Sequence, residues 1–284
     1  MSAPRVAIIV LNYRGDQVLR PCLLSLGKAM SSGDTVLVVD NGGEEVLLSH
    51  MREEFSWIET ISSGSNRGFA AGMNLGVQYL MARGAFDAFW LVNNDAQVDP
   101  NSLNELKRVF IEKGEHALYS PLIFSNPANA PWFSGGEIDF LRMRTKHRHD
   151  LPESQAPYKT GFLTGCALFI PRSVIEKTGF LDERYFLYYE DAEYSLRTLR
   201  KGLSLWVVPY SRIVHTEESR HNAAKTYWLV RSGAEFFLRE SRGLWRIWII
   251  VYLFLRRLKN SFAVRGTDQT VANEVKRAYT DISL

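Results

Sequence analysis

The stretch VAIIVLNYRGDQVLRPCLLSLGKAMSSGDTVLVVDN, residues 6–41, decides the fold. It opens and closes with short apolar, β-branched runs, 6–12 and 35–41, each ending in polar residues. Between them Leu19, Cys22, Leu23 and Leu26 recur at i, i+3, i+4 and i+7, the apolar stripe of a helix. Working outward, AFWLVNN (88–94) is a further strand of the same kind. GFAAGMNLGVQYLMARG (68–84) before it sets Met73, Val77 and Leu80 on one helical face. Gly72 and Gly76 there permit a close approach of helix to sheet. Strands alternating with helices in this way predict a doubly wound α/β sheet, mostly parallel at its centre.

Beyond Ser125 the pattern changes. NPANAPW (126–132) is a turn-rich break, and the charged, irregular 139–160 reads as a mobile loop. GFLTGCALFIPR (161–172) reads as a buried strand stopped by Pro171, and SLWVVP (204–209) as another strand. From Asn222 onward the reading is helical.

Composition narrows the function classes. A chain of 284 residues allows one large domain, or one domain with an appendage. A net charge of +3 gives no footing for nucleic acid. Two cysteines, Cys22 and Cys166, form neither a disulfide framework nor a zinc pattern, which fits a reducing compartment. With no signal-peptide core and no run long enough to span a bilayer, the expected location is cytoplasmic.

In open α/β sheets ligands gather outside the carboxyl ends of the strands. Asn12, Asp40–Asn41 and Asn93–Asn94–Asp95 fall there. Asp40 is placed either to accept the imide N–H of a pyrimidine base or to form a DNGG turn. No G-x-G-x-x-G follows the first strand and no P-loop occurs, which argues against dinucleotide and P-loop chemistry. In LVNNDAQVDP (91–100) Asp95 is either an Asx-turn residue or one ligand of a hard cation that a diphosphate would complete. His215, in YSRIVHTEESRHN (210–222), is either a nitrogen ligand from across the cleft or an ordinary loop or core residue. Glu190 and Asp191 follow a knot in which four of the five residues from Tyr185 to Tyr189 are aromatic. Acids at a helix start complement its dipole, but beside apolar surface they also become tuned bases.

Taken in order, VVDNG (38–42), SNRGFAAGMNLG (65–76), LVNNDAQVD (91–99), GCALFIPR (165–172) and GFLDERYFLYYEDAEYSLRTLRKG (179–202) resemble the family 2 inverting glycosyltransferases of GT-A fold. The likeness is strongest to bacterial rhamnosyltransferases acting on cell-surface polysaccharides. It covers roughly residues 5–240, including RHNAAKTYWLVRSGAEFFLRE (220–240).

The resemblance implies a catalytic domain over 1–215 and a C-terminal helical extension over 216–284. It implies a nucleotide-diphosphate-sugar donor, commonly dTDP-L-rhamnose, a divalent Mg²⁺ or Mn²⁺, and a glycan or lipid-linked glycan acceptor. By the same likeness Asp40 contacts the base, and Asn12, Asn66, Arg67, Asn94 and Asp95 the rest of the donor. Asp95 with His215 holds the metal, Asp191 is the base, and Glu190 orients the site. One departure stands out: the first acid of the D-x-D element is Asn93 here, one negative charge fewer.

Other donors, such as UDP-galactofuranose or UDP-N-acetylglucosamine, fit the same likeness. A sugar nucleotidyltransferase is a rival, but it needs a Gly-rich basic loop after the first strand, and LNYRGDQVL has one glycine. A non-catalytic glycan-binding protein is another, but it would not need Asp95 and Asp191 together.

The last expectation concerns RESRGLWRIWIIVYLFLRRLKN (239–260). On a helix Arg239, Arg242, Arg246 and Arg257 fall on one side, interrupted by Ile250 and Leu253. Trp245, Trp248, Ile249 and Tyr252 form a second stripe. This suits a peripheral helix at the inner face of a membrane, or a helix packed on the domain or in a homodimer. A lipid-linked acceptor would give membrane contact a purpose.

Overall fold

The structure, a computed structural model, describes residues 3–43, 45–126, 130–216, 223–262 and 269–282. The first half runs β1 (Val6–Asn12), α1 (Asp16–Ala29), β2 (Thr35–Asp40), α2 (Glu45–Glu54), β3 (Ile58–Ser62), α3 (Phe69–Arg83) and β4 (Ala88–Asn93). Next come β5 (Ala96–Val98), α4 (Ser102–Lys113), β6 (Ala117–Ser125), β7 (Pro131–Phe133), β8 (Gly136–Asp139), β9 (Arg144–His147), β10 (Tyr158–Lys159) and β11 (Ala167–Pro171). The chain closes with α5 (Arg172–Thr178), α6 (Glu190–Arg200), β12 (Ser204–His215), α7 (Ala223–Glu240), α8 (Leu244–Phe262) and α9 (Gln269–Thr280).

The central sheet is ordered β10-β12-β6-β11-β4-β1-β2-β3. Strands β4, β1, β2 and β3 are parallel, as the alternation predicts, and β11 enters antiparallel between β4 and β6. All seven residues of β1 are buried, because helices cover both faces of the parallel half. Gly76 of α3 lies against β1 and β2: a Cβ there would sit 2.7 Å from Ile9 Cγ2 and 2.9 Å from Val39 Cγ2. We expect Gly76→Ala to overpack this contact and cost about 1–3 kcal/mol, read as a lower urea midpoint at unchanged m-value.

Four expectations are corrected by the fold. Segment 239–260 is not one helix: α7 ends at Glu240 and α8 starts at Leu244, so Arg239 and Arg242 lie outside α8. Residues 139–160 are not one mobile loop, since β8 and β9 form a hairpin over 136–147 and β10 pairs with β12. Apolar anchors hidden among its charges hold it down: Met143 is buried, and Phe140 stacks edge-on to Phe237 at 5.3 Å. Only the second half of 161–172 is strand, with 161–166 running outside β11. The strand expected at 204–209 continues to His215, passing Pro209 through a register shift between Val208 and Arg212. The quoted residues 217–222 lie outside the described residues.

Candidate active site

A cavity of about 900 Å³ opens beyond the carboxyl ends of β1 and β4. Asn93, Asn94, Asp95, Glu190, Asp191 and His215 all line it. Segment 164–166 ties its parts together: Gly165 N–H donates to Asp191 Oδ2 at 2.9 Å, and the next carbonyl, Cys166 O, accepts from Asn93 N–H at 2.9 Å. Two adjacent residues of one loop therefore fix the base candidate relative to the β4 end.

The acidic pair is aimed by unusual backbone. Tyr188 and Tyr189, directly before α6, have φ of 66° and 69°, the left-handed region. For residues other than glycine such conformations cost about 1–3 kcal/mol each and persist only when the surroundings impose them. Here α7 imposes them. Ser232 Oγ donates to Leu187 O at 2.8 Å, and Gly233 lets the Tyr189 ring approach so closely that a Cβ would lie 2.8 Å from it. Phe236 and Phe237 pack on the same ring.

The two carboxylates differ in their surroundings. Asp191 accepts N–H bonds from Gly165 and from Ala192 (2.7 Å), whereas Glu190 is buried and its Oε2 has no partner. Burial raises Asp191 to about 6 against those hydrogen bonds. Burial, and then the neighbouring Asp191 charge, push Glu190 well above the usual carboxylate range. Both shifts favour Asp191 as the more readily ionised of the two, which separates two roles that adjacency alone leaves open.

Asp95 and His215 meet because β5 pairs with the end of β12, His215 opposite Ala96, and Thr216 N–H donates to Asp95 O at 2.9 Å. His215 Nε2 lies 3.1 Å from Asp95 Oδ1, and both side chains are largely buried. Burial opposes charge on the imidazole, but Cys166 and Asp95 outweigh it and raise His215 to about 11. Among the described residues no group of three or more His, Cys, Asp or Glu is arranged to hold a metal. Asp95 and His215 are the residues here that could hold a divalent ion, as two ligands whose remaining positions a diphosphate would fill, and the ion would have to displace the proton that Asp95 favours on His215.

The other donor candidates are distributed unevenly. Asn94 lines the cavity and donates to Asn12 Oδ1 at 2.7 Å. Asn12 is fully buried, so it reaches the site through Asn94 rather than directly. Asp40 is also fully buried, its Oδ1 accepting Gly42 N–H at 2.8 Å, so the DNGG turn of the sequence is formed. Both sit at strand ends enclosed by the turns that follow them. Asn66 and Arg67 are exposed beside them: Asn66 Oδ1 accepts from Asn41 Nδ2 (3.1 Å), and Arg67 N–H donates to Asn41 Oδ1 (3.1 Å). The loop is then clamped to the aromatic knot, with Phe69 N–H donating to Phe186 O at 2.7 Å.

Sequence reasoning missed Trp132, Thr145, His147 and Phe162, which line the cavity from β7, β9 and the segment before β11, and Lys225 and Leu229 from α7. Trp132 lies 4.7 Å from the His215 ring. The alternation of Ile138 and Phe140 among charged neighbours was the available signal for the hairpin. For Lys225 and Leu229 the sequence carries none.

Residues 89–272 match the model of the family described as glycosyl transferase family group 2. The low-salt glycan biosynthesis hexosyltransferase Agl10 of Haloferax volcanii is 24% identical over 75% of this chain and 67% of its own length. The dTDP-rhamnosyl transferase RfbF of Shigella flexneri is 24% identical over 72% and 71%. The N-acetylglucosaminyl-diphospho-decaprenol L-rhamnosyltransferase of Mycobacterium tuberculosis is 25% identical over 73% and 75%. Among solved structures, GalNAc-T7 with UDP, GalNAc and Mn²⁺ superposes with a TM-score of 0.70 at 16% identity, over 99% of this chain and 54% of that one. The mannosyltransferase PcManGT of Pyrobaculum calidifontis, with GDP-Man and Mn²⁺, gives 0.61 at 16% identity, over 100% and 77%. The architecture is thus the GT-A fold, and the chain spans about half the length of the first of these structures.

Proposed function

The chain belongs to glycosyl transferase family group 2, and from that premise we propose that it is a metal-dependent inverting glycosyltransferase. It moves L-rhamnose from dTDP-L-rhamnose to a hydroxyl of a growing, lipid-linked cell-surface glycan at the cytoplasmic face of the membrane. Residues 1–215 form the donor-binding and catalytic domain, and 216–284 the helical extension. The observation that carries the reading is the one cavity that holds both Asp191, fixed by Gly165, and the Asp95–His215 pair, 3.1 Å apart. The rhamnosyl donor is supported by the relatives named for it.

In this mechanism the acceptor oxygen attacks the anomeric carbon while the bond to the nucleoside diphosphate breaks on the opposite face. The acceptor proton passes to Asp191, and the leaving diphosphate takes the bonding electron pair. Glu190, the harder of the two acids to ionise, orients the site. Asp95 and His215 would hold Mg²⁺ or Mn²⁺, which would offset charge developing on the diphosphate. Asn94, positioned by Asn12, and Asn66 and Arg67, positioned by Asn41, hold the donor, with Asp40 fixing the turn beneath its base.

A panel of nucleotide sugars, scored by calorimetric binding and by slow hydrolysis without acceptor, tests this. The expected result is preference for dTDP-L-rhamnose with release of dTDP. Preference for a UDP- or GDP-sugar would overturn the donor but keep the reaction class. Pyrophosphate release, or no turnover of any donor with any acceptor, would overturn the class itself.

A further inference from the structure

We propose that α8 is a docking surface for an anionic lipid bilayer, lying in the plane of the interface with its outer face in the headgroup and upper acyl region. This is independent of which sugar is transferred. Ile249 and Leu253 are almost fully buried and fasten the helix to the protein. Among the described residues the opposite face is unpartnered: Ile247, Ile250, Val251, Phe254 and Leu255 are each 42–61% exposed. So many large apolar side chains turned outward on one helix mark an interaction site rather than ordinary surface. The sequence expectation placed Ile249 with the tryptophans. In the fold it turns inward, and the exposed arc is broader than the expected stripe.

Charge identifies the occupant. Residues 241–262 carry five basic residues, Arg242, Arg246, Arg256, Arg257 and Lys259, and no acidic one. At about 100° per residue, Arg246 and Arg257 fall at one edge of the apolar arc and Lys259 at the other, with Arg256 beside Ile249 on the inner side. Long basic side chains at the margins of an apolar face reach lipid phosphates while the face is buried, and tryptophan suits the same depth. A second copy of the chain on this face would set basic edge against basic edge with no acid in the segment to meet them. No helix among the described residues is long and apolar enough to cross a membrane, so the contact is peripheral.

The surface adjoins the active cavity. Trp248 Nε1 donates to Leu141 O at 3.1 Å, joining α8 to the tip of the β8–β9 hairpin, whose Thr145 and His147 line the cavity. A glycan carried on a membrane lipid therefore approaches from the side on which the protein rests.

Co-sedimentation of the full chain with phosphatidylcholine vesicles, with and without phosphatidylglycerol, tests the proposal. We expect binding only with phosphatidylglycerol, weakened by salt. The exposed-site double variant Ile247→Glu/Phe254→Glu should weaken it roughly tenfold or more, and Arg257→Gln/Lys259→Gln to a smaller extent. Circular dichroism and acceptor-free donor hydrolysis should be unchanged in both, which separates loss of docking from loss of fold or of the transferase itself. No binding to anionic vesicles by the wild type would overturn the proposal. So would binding that survives the glutamates, or a wild-type dimer dissociated by them in the absence of any vesicle binding.

Discussion

Asp191→Asn lowers turnover by about 10²–10⁴-fold, the usual consequence of losing a general base, while donor binding by calorimetry stays near wild type. The amide keeps the size of the carboxylate and retains an acceptor for the Gly165 N–H, so the 164–166 segment has no reason to move. In the wild type, kcat/KM falls about tenfold per pH unit below about 6, as Asp191 takes up its proton, and this limb is absent from the variant. The stability sign runs the other way. A carboxyl whose pKa is raised by folding favours the native state at low pH, and that contribution is lost as pH rises through about 6. Asp191→Asn should therefore match or exceed the wild-type Tm at pH 8, with the difference shrinking toward pH 5. Near-wild-type turnover in the variant would remove Asp191 from the mechanism, and a collapsed Tm would make its role structural.

Removal of the metal gives the second large effect. Chelation by EDTA should abolish turnover, and Asp95→Ala should lower it by about 10²–10³-fold, comparable to deleting an electrostatic stabiliser of the leaving group. Because Asn93 contributes no charge, Asp95 and His215 alone make a weak site, and the donor diphosphate must supply the remaining oxygens. Mg²⁺ or Mn²⁺ should accordingly bind much more tightly in the presence of nucleoside diphosphate, and by reciprocity the diphosphate more tightly with metal. Calorimetric titrations with and without dTDP measure both directions. Equal metal affinity in the two titrations would show that the sites are not shared, and full activity in EDTA would end the metal assignment.

The parallel half of the sheet was legible because it is built from local signals. Buried strands of β-branched residues, a four-point apolar stripe at Leu19–Leu26 and two glycines facing the sheet each act within a few residues. The hairpin at 136–147 was not, because Phe140 is short-range noise until Phe236 and Phe237, far along the chain, give it something to pack against. The site divides along the same line. Asp191, Glu190, Asp95 and His215 could be named from motif order, yet motif order could not say which of the two adjacent acids ionises.

By itself, then, the sequence determined the α/β alternation, the positions of the acids at element ends and the missing charge at Asn93, since these depend on residue identity and local spacing. Tertiary structure alone decided the rest, because burial and hydrogen bonding arise from segments distant in the chain. The Gly165 N–H favours the ionised form of Asp191, and burial beside Asp191 pushes Glu190 above the usual carboxylate range. The fold buries Asn12 and Asp40 fully at the ends of β1 and β2. Gly233 and Ser232 of α7 hold Tyr188 and Tyr189 in a left-handed conformation that no local preference of tyrosine would select.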